Sequence, residues 1–428
     1  MNELHKIVIV GGGAGGLELA TLLGEHFGKQ AKAKIILVDQ NLTHIWKPLL
    51  HEIAVGTLNA HSEELNYYAH AAQHNYEFVL GRFTELERSN KRILLEHPFS
   101  SGNKDQQLFS LNYDTLIFAI GSTSNDFNTE GVREEHCHFL DSRVQAEQFQ
   151  QQLLHLYVAA QTQSSLTDLN IAIIGAGATG VELAAELVQS TQSFHQYGLN
   201  KIDPKRVKIS LIEAADRILP ALSEKISQHT LRELHHANIQ VLTHKRVSKI
   251  DEKQIYFAHG ASIPADLKVW CAGIQAPQVF QHLTEFEKDH LNRLKVYATL
   301  QTKTDPNIFA FGDCAHCQPI ADEPVLGPRA QVASQQAHFL VSAMSARIKN
   351  KTPPMFKFID KGSLVSLSHH KAVGELLGQV NVQGWVAKSL YVSLYRMHQA
   401  TLHGYTRTAY FMAKDAMNKK LAPNIKLH

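Results

Sequence analysis

One short pattern occurs twice in the sequence and constrains the fold more than any other feature. Ile7-Val8-Ile9-Val10 runs into Gly11-Gly12-Gly13-Ala14-Gly15-Gly16 and the helix-like stretch Leu17 to Glu25. Ile171-Ala172-Ile173-Ile174 runs into Gly175-Ala176-Gly177-Ala178-Thr179-Gly180 and the stretch Val181 to Gln189. Each copy reads as a buried strand, a tight turn and a helix start, the opening of a parallel-sheet nucleotide-binding unit. The expected class is therefore α/β, with two Rossmann-like dinucleotide-binding domains.

Further strands follow each copy: Lys34 to Val38 after the first, and Val207 to Ile212 then Ile239 to Leu242 after the second. Tyr113 to Gly121 and Ala265 to Gly273 are matching apolar runs that each end in a small-residue turn. A last strand, Ile308-Phe309-Ala310-Phe311, precedes Gly312-Asp313, so the second domain is expected to be inserted into the first. The expected organisation is 1–120 and 286–349 for the first domain, 121–149 as a connection and 150–285 for the second. Pro353-Pro354 marks the start of a third region, 350–428.

In Gly11-x-Gly13-x-x-Gly16 the first glycine permits the tight turn, the second lets backbone approach a pyrophosphate, and the third lets helix pack on strand. The helix start adds unpaired N–H groups and positive dipole. Asp39 ends the next strand, 23 positions after Gly16, where a carboxylate can bind ribose hydroxyls. Gly175, Gly177 and Gly180 repeat the logic with Glu213, 33 positions on, and the polar stretch Ser190 to Arg206 accounts for the extra distance. The Glu213 carboxylate would repel a 2′-phosphate, which favours NADH over NADPH, with Arg217 close enough in sequence to moderate that preference. One chain with two such sites suits hydride transfer between a nicotinamide and a flavin. Gly312-Asp313 fits the flavin half, with an acid and an adjacent helix N-terminus; an ordinary helix N-cap is the other reading of Asp313.

Composition narrows the partners. Forty-two Lys+Arg against forty Asp+Glu leave a net charge of +2, without the basic excess of a nucleic-acid binder. Four cysteines are too few for a secreted disulfide framework, and a reducing compartment is expected. No apolar run reaches the length of a spanning helix and no leader pattern precedes Lys6, so the expected location is cytoplasmic, with peripheral membrane contact.

With these motifs the sequence resembles the two-dinucleotide-domain flavoprotein reductases, and within them the type II NADH:quinone oxidoreductases. The resemblance covers about residues 5–375. It rests on both glycine loops, Val181-Glu182-Leu183-Ala184, Phe311-Gly312-Asp313 and four narrower motifs. These are His44 to Leu50, Val269 to Ile274 with Ala276-Pro277, Ala330 to Gln335 and Asp360 to Ser363. It implies FAD as cofactor, NADH and a quinone as substrates, and non-pumping electron transfer at the cytoplasmic face of the cell membrane, with a homodimer as the expected assembly. By position, it implies that Pro48 and Leu49 lie along the flavin, that Asp313 contacts it, and that Glu182 faces the nicotinamide. Gln331 and Gln335 would line the quinone-side pocket with Lys361 near the flavin edge, and Gly121, Gly273 and Gly312 complete the cofactor-binding set. Without the family pattern, Gln331 and Gln335 are a solvent-facing i,i+4 pair, Glu182 an exposed helix residue and Lys361 a loop charge. Three departures stand out: Asp39 for the longer Glu, Ser368-His369-His370 for Gly-Arg, and His398, Gln399 and His403 at more apolar positions.

The cysteines argue against neighbouring chemistries. Leu42 to His51 holds no cysteine pair for a dithiol relay, and Cys317 is the last cysteine, which disfavours sulfide as substrate. Cys314-Ala315-His316-Cys317 overlaps the flavin-binding turn and reads as two small buried residues rather than a metal or redox site. From Trp385 to His428 seven basic residues accompany one acid, Asp415. Apolar residues recur there at helical spacing: Val386, Leu390, Leu394 and Met397, then Tyr405, Ala409, Met412 and Ala416. This is the pattern of amphipathic helices in a membrane interface, the alternative being a helix packed on the protein itself or a second subunit. Two other functions fit the same residues: a soluble NADH-dependent reductase of a carrier protein, and a NADH-responsive flavoprotein redox sensor.

Overall fold

The computed structural model describes residues 3–98, 108–133, 136–162, 168–367, 371–376, 380–421 and 425. The chain opens with β1 (His5–Val10), α1 (Ala14–Leu23), β2 (Ala33–Asp39), α2 (Leu50–Ala54), β3 (Glu77–Leu80) and β4 (Thr115–Phe118). Next come β5 (His138–Phe139), α3 (Arg143–Thr162), β6 (Leu169–Ile174), α4 (Ala178–Gln196), β7 (Val207–Ile212), β8 (Ile239–Leu242) and β9 (Leu267–Trp270). It closes with β10 (Ile308–Ala310), α5 (Ala330–Ile348), β11 (Gly362–Ser366), β12 (Ala372–Leu376), β13 (Val380–Gln383) and α6 (Gly384–Leu421).

Two five-stranded parallel sheets share one plan. The first has the order β10-β4-β1-β2-β3 and the second β5-β9-β6-β7-β8. In each, the glycine-loop strand is central, flanked by the strand that ends in an acid and by the strand that ends in the small-residue turn. The edge strands differ in origin: β10 returns to the first sheet only after the whole second sheet has been laid down, which is the inserted arrangement. Parallel strands covered on both faces must be apolar throughout, and Ile7, Val8, Ile9 and Ile173 are completely buried.

Three features depart from the sequence reading. The stretch Ser190 to Arg206 is not simply a polar connection, because α4 continues to Gln196. Ser190, Thr191 and Ser193 are buried in it, and the Thr191 hydroxyl donates to Leu187 O at 2.8 Å, so small hydroxyl residues stand in for apolar ones on the inner face. Secondly, α2 lies in the first part of the chain, yet Leu50, Ile53 and Ala54 are buried in the core of the second sheet. Thirdly, β11, β12 and β13 form an antiparallel sheet that the sequence reading did not place, ahead of the expected C-terminal helix α6, and α6 breaks at Gly404, where φ is 76°. That break falls between the two apolar runs read from the sequence.

Candidate functional site between two glycine cradles

The two glycine loops are built alike. Gly11 N donates to Val38 O at 2.8 Å and Gly175 N to Ile212 O at 2.7 Å, so each turn is pinned to the neighbouring strand. Gly11 and Gly175 have φ of 107° and 102°, values that L side chains rarely adopt. A Cβ on Gly16 would come within 1.8 Å of Gly11 O, and one on Gly180 within 2.0 Å of Gly175 O. Gly13 and Gly177, by contrast, open onto space with no atom within 4 Å of an added Cβ. Each loop thus offers backbone, a helix start and an open concavity that fits a pyrophosphate.

The acids serve both loops in the same way. Asp39 Oδ2 accepts from Gly12 N at 2.6 Å and Oδ1 from Asn41 N at 2.8 Å. Glu213 Oε2 accepts from Ala176 N at 2.8 Å and Oε1 from Ala215 N at 2.9 Å. Burial raises the Asp39 carboxyl above its ordinary range, against the backbone N–H groups that hold it down. Arg217 is occupied elsewhere: its guanidinium donates to the carbonyls of Leu222 and Pro220, both at 2.9 Å.

The stretch after β4 runs from one cradle to the other. Gly11 packs against Ala119 and Ile120, and Gly175 packs in the same way against Cys271 and Ala272. Gly121 and Gly273 follow those contacts, with φ of 69° and 62°. Thr123-Ser124 pairs with Ile274-Gln275 in a short antiparallel ladder. Asp313 accepts from the Ser122 hydroxyl at 2.9 Å, and burial raises its carboxyl above the usual range. No helix follows Asp313 directly, since Gly312–Cys314 is a single 3-10 turn that leads into the strand Ala315–Cys317; the helix start beside it is that of α5, where Ala333 packs on Gly312 and Gln336 Oε1 accepts from Gly312 N at 2.8 Å. The N-cap reading of Asp313 fails for the same reason. Cys314 and Cys317 are free and buried, as two small core residues.

Glu182 lies where α4 meets α2, β11 and α6. It is 6% exposed, which overturns its reading as a surface helix residue. Oε1 accepts from Ser366 N at 2.9 Å, and Oε2 lies 3.6 Å from His51 Nδ1. Burial pushes its carboxyl up to about 8, with the Glu52 carboxylate adding to the effect and Ser366, Lys388 and Tyr391 opposing it. His51 is buried and its imidazole is pushed down to about 3, chiefly by desolvation, so it is neutral at physiological pH. Pro48 and Leu49 form the 3-10 turn that leads directly into α2 and His51.

Gln331 and Gln335, on α5, form a clip. Gln331 Nε2 donates to Gly362 O at 2.8 Å and to Asp360 Oδ1 at 3.2 Å, while its Oε1 accepts from Lys361 N at 3.2 Å. Gln335 exchanges both hydrogen bonds with the Ile359 backbone, at 2.8 and 3.0 Å. They are not a solvent-facing pair, since their amides hold the segment 359–362 onto α5. The Lys361 side chain is exposed.

Helix α6 is tied to the first cradle. Tyr395 and His398 stack on Trp46, with centroids 5.1 and 5.8 Å away. His398 Nε2 lies 3.4 Å from His44 Nε2, and His44 Nδ1 lies 3.0 Å from Gly12 O. Other aromatic side chains of α6 are open: Trp385 is 75%, Tyr405 87% and Tyr410 69% exposed. The basic residues are not all available to a surface, because Lys388 donates to Ser366 Oγ, Arg396 pairs with Asp415 and Arg407 donates to Gln73. The side chains of Lys419 and Lys420, Lys426 and Ser368-His369-His370 lie outside the described residues. Among the described residues no helix is long and apolar enough to cross a membrane. Sequence reasoning missed His51, Ser366, Tyr391 and Glu186; only Glu186 had a local signal, its i,i+4 spacing from Glu182.

Residues 5–337 match the pyridine nucleotide-disulphide oxidoreductase family. The type II NADH:quinone oxidoreductase of Haemophilus influenzae is 41% identical over 99% of this chain and 100% of its own. A probable NADH dehydrogenase of Dictyostelium discoideum is 29% identical over 83% of this chain and 78% of its own. Among solved structures, NDH2 of Plasmodium falciparum in complex with NADH superposes with a TM-score of 0.83 at 21% identity, covering 99% of this chain and 100% of that one.

Proposed function

The chain belongs to the pyridine nucleotide-disulphide oxidoreductase family, in its type II NADH:quinone oxidoreductase branch, and on that premise we propose how its residues oxidise NADH with FAD and reduce a quinone. The observation that carries the reading is the pair of equivalent glycine cradles, each open at its middle glycine and each served by a carboxylate. The first cradle, Gly11, Gly13 and Gly16 with Asp39, holds the FAD pyrophosphate and ribose; Pro48, Leu49, Gly121, Gly312 and Asp313 hold its flavin end. The second, Gly175, Gly177 and Gly180 with Glu213, holds NADH, and Gly273 lines the way to the flavin. On this reading residues 1–120 and 286–349 carry FAD, 150–285 carry NADH, 121–149 connect them and 350–428 serve the quinone and the membrane.

Bound FAD supplies a two-electron acceptor for the hydride of NADH and a donor to the quinone. The chain's own contribution is alignment, exclusion of water and control of protons. Glu182, neutral through much of the physiological range, can donate a hydrogen bond to a carboxamide or pass a proton without placing a fixed charge at the transfer site. The Gln331 and Gln335 clip fixes Lys361 and β11, and β11 in turn supplies the Ser366 N–H that holds Glu182. Arg217, held by backbone carbonyls, is not available to a 2′-phosphate, which supports NADH over NADPH.

The test is the anaerobic spectrum of the FAD-loaded protein. NADH is expected to bleach the flavin band and a short-chain quinone to restore it rapidly. Bleaching that persists after quinone would favour a soluble carrier reductase or a redox sensor. In the same assay Gln331→Ala with Gln335→Ala should slow reoxidation by quinone at least about tenfold while bleaching changes little, because the hydrogen bonds of the clip go to the segment 359–362 and none goes to the nicotinamide loop. Equal loss in both half-reactions would sink the quinone-side assignment.

The exposed apolar face of α6 supports peripheral attachment at the cytoplasmic face of the cell membrane, where a homodimer would feed electrons into a respiratory chain. Trp385→Ser combined with Tyr405→Ser and Tyr410→Ser removes exposed rings and no core contact. The full chain should float with anionic lipid vesicles and this variant should not; equal recovery of both in the lipid layer would contradict attachment through α6.

A further inference from the structure

The two glycine loops, alike in so much, differ in how one peptide is held. In the second loop the Ala176 carbonyl accepts from Leu219 N at 2.8 Å, a main-chain donor of the same domain. In the first loop the equivalent carbonyl, that of Gly12, accepts from two buried side chains, the Tyr67 hydroxyl at 2.5 Å and His44 Nδ1 at 3.0 Å. A trans peptide points its C=O and the following N–H in opposite directions. Drawing the Gly12 carbonyl toward Tyr67 and His44 therefore turns the Gly13 N–H away from them, and Gly13 is the residue that opens onto space. A carbonyl bonded to two donors is also polarised, which strengthens the N–H of the same peptide as a donor to an anion.

The chain of donors does not end at His44. A carbonyl only accepts, so His44 Nδ1 carries the proton, and in a neutral imidazole Nε2 is then the acceptor. Facing that nitrogen, 3.4 Å away, is His398 Nε2 on α6. Desolvation pushes the His44 imidazole down to about 4 and lowers that of His398 as well, so both rings are neutral at physiological pH. Each hydrogen bond then has one direction: His398 Nε2–H to His44 Nε2, and His44 Nδ1–H to Gly12 O. His398 is itself held in place. Its ring stacks on Trp46, and one turn further along α6 the carbonyl of the buried Leu402 lies 3.0 Å from His70 Nε2.

We propose that His398 is a positioning residue for FAD, acting through His44 to hold the Gly12–Gly13 peptide with its N–H aimed at the pyrophosphate. The inference rests on the assignment of FAD to the first loop and deepens it. Without the His398 donor, the His44 ring loses the partner that fixes its tautomer and orientation, and the Gly12 carbonyl loses one of its two anchors. Retention of FAD thus depends on α6, whereas binding of NADH does not, because the second loop anchors its equivalent carbonyl from within its own domain.

The test uses the FAD-loaded full chain, diluted so that released FAD is read as a rise in free-flavin fluorescence. His398→Phe keeps a ring against Trp46 and removes the Nε2 donor, and its FAD dissociation constant is expected to rise at least about tenfold. In the fraction that keeps its flavin, the NADH dependence of the bleaching rate should shift less than about twofold. His398→Gln, whose amide N–H extends as far as the imidazole Nε2, should recover most of the lost affinity. Unchanged FAD retention in His398→Phe overturns the proposal. So does a loss that extends equally to NADH and that His398→Gln does not repair, since packing alone would produce it. Should His398→Phe fail to fold, His398→Asn takes its place, because its amide stops short of His44; equal FAD affinity of the Asn and Gln variants then counts against His398. The FAD assignment itself is tested apart from this, by Gly13→Asp. Flavin retained in that variant removes the first loop as the FAD site, whereas flavin lost there and held undiminished by His398→Phe removes only the role of His398.

Discussion

Gly13→Asp is expected to give a folded protein that holds no flavin. An added Cβ at Gly13 meets no atom within 4 Å, so the substitution leaves the strand-turn-helix unit intact, yet it places a negative charge where a pyrophosphate would lie. Gly177→Asp is the matched experiment on the second loop, with the same open position. That variant should keep its flavin band and lose bleaching by NADH, at least about a hundredfold in the rate at a fixed low NADH concentration, from charge repulsion in a confined site. The two variants separate the cofactor assignments of the two loops. Gly16→Ala provides the contrast, because its Cβ would meet Gly11 O at 1.8 Å and the helix could not pack on the strand. Loss of folding is expected there, seen as lost far-ultraviolet circular dichroism or insolubility. Flavin retained by Gly13→Asp, or lost by Gly177→Asp with NADH bleaching intact in any reconstituted fraction, would reverse the assignment of FAD to the first loop.

The second large effect concerns stability against pH. Glu182 and Glu186 have carboxyls raised to about 8 and about 7, in both cases mainly by burial. A raised folded-state value means that the native state binds protons more tightly than the unfolded chain. Below the ordinary carboxyl range both states are protonated and there is no penalty. As pH rises from about 4.5, the unfolded chain ionises first, the native state lags, and stability falls until the native carboxyls ionise as well. Each tenfold difference in proton affinity between the two states is worth about 1.4 kcal/mol, so the pair costs several kcal/mol above pH 8. Glu182→Gln with Glu186→Gln should therefore be progressively more stable than the wild type from weak acid to mild alkali, in denaturant titrations of the FAD-loaded protein. A difference independent of pH would show that the two carboxyls are not held protonated by burial.

The parts of the site that are legible in the sequence are those encoded within one short stretch. The spacing of Gly11, Gly13 and Gly16 fixes a turn because each position has a local steric reason, and the same holds for Gly175, Gly177 and Gly180. Asp39 and Glu213 are legible because a strand end places its last residue beside the neighbouring turn. The Gln331 and Gln335 pair shows the limit of such reading. Helical spacing puts the two amides on one face, but whether that face meets solvent, a pocket or a strand depends on a segment 24 or more positions away, here 359–362. Glu182 is a sharper case, since an acid after a glycine loop is locally indistinguishable from a surface residue. Its burial is produced by α2, β11 and α6 together, three elements drawn from distant parts of the chain. The helix start beside Asp313 likewise comes from farther along the chain, from α5 at Ala330, because Ala315–Cys317 first pairs with Leu294–Val296.

The sequence by itself determined the two parallel sheets, the insertion of one unit in the other and the chemistry that each glycine loop can support. These follow from apolar runs, glycine spacing and strand-end acids, whose effects act over a few residues or between adjacent strands. The tertiary structure alone decided which core α2 joins, which amides hold the 359–362 segment and which carboxyls are shut away from water. Burial and the protonation that follows from it are properties of everything packed around a group, and the elements packed around Glu182 and Glu186 are brought together only when the whole chain has folded.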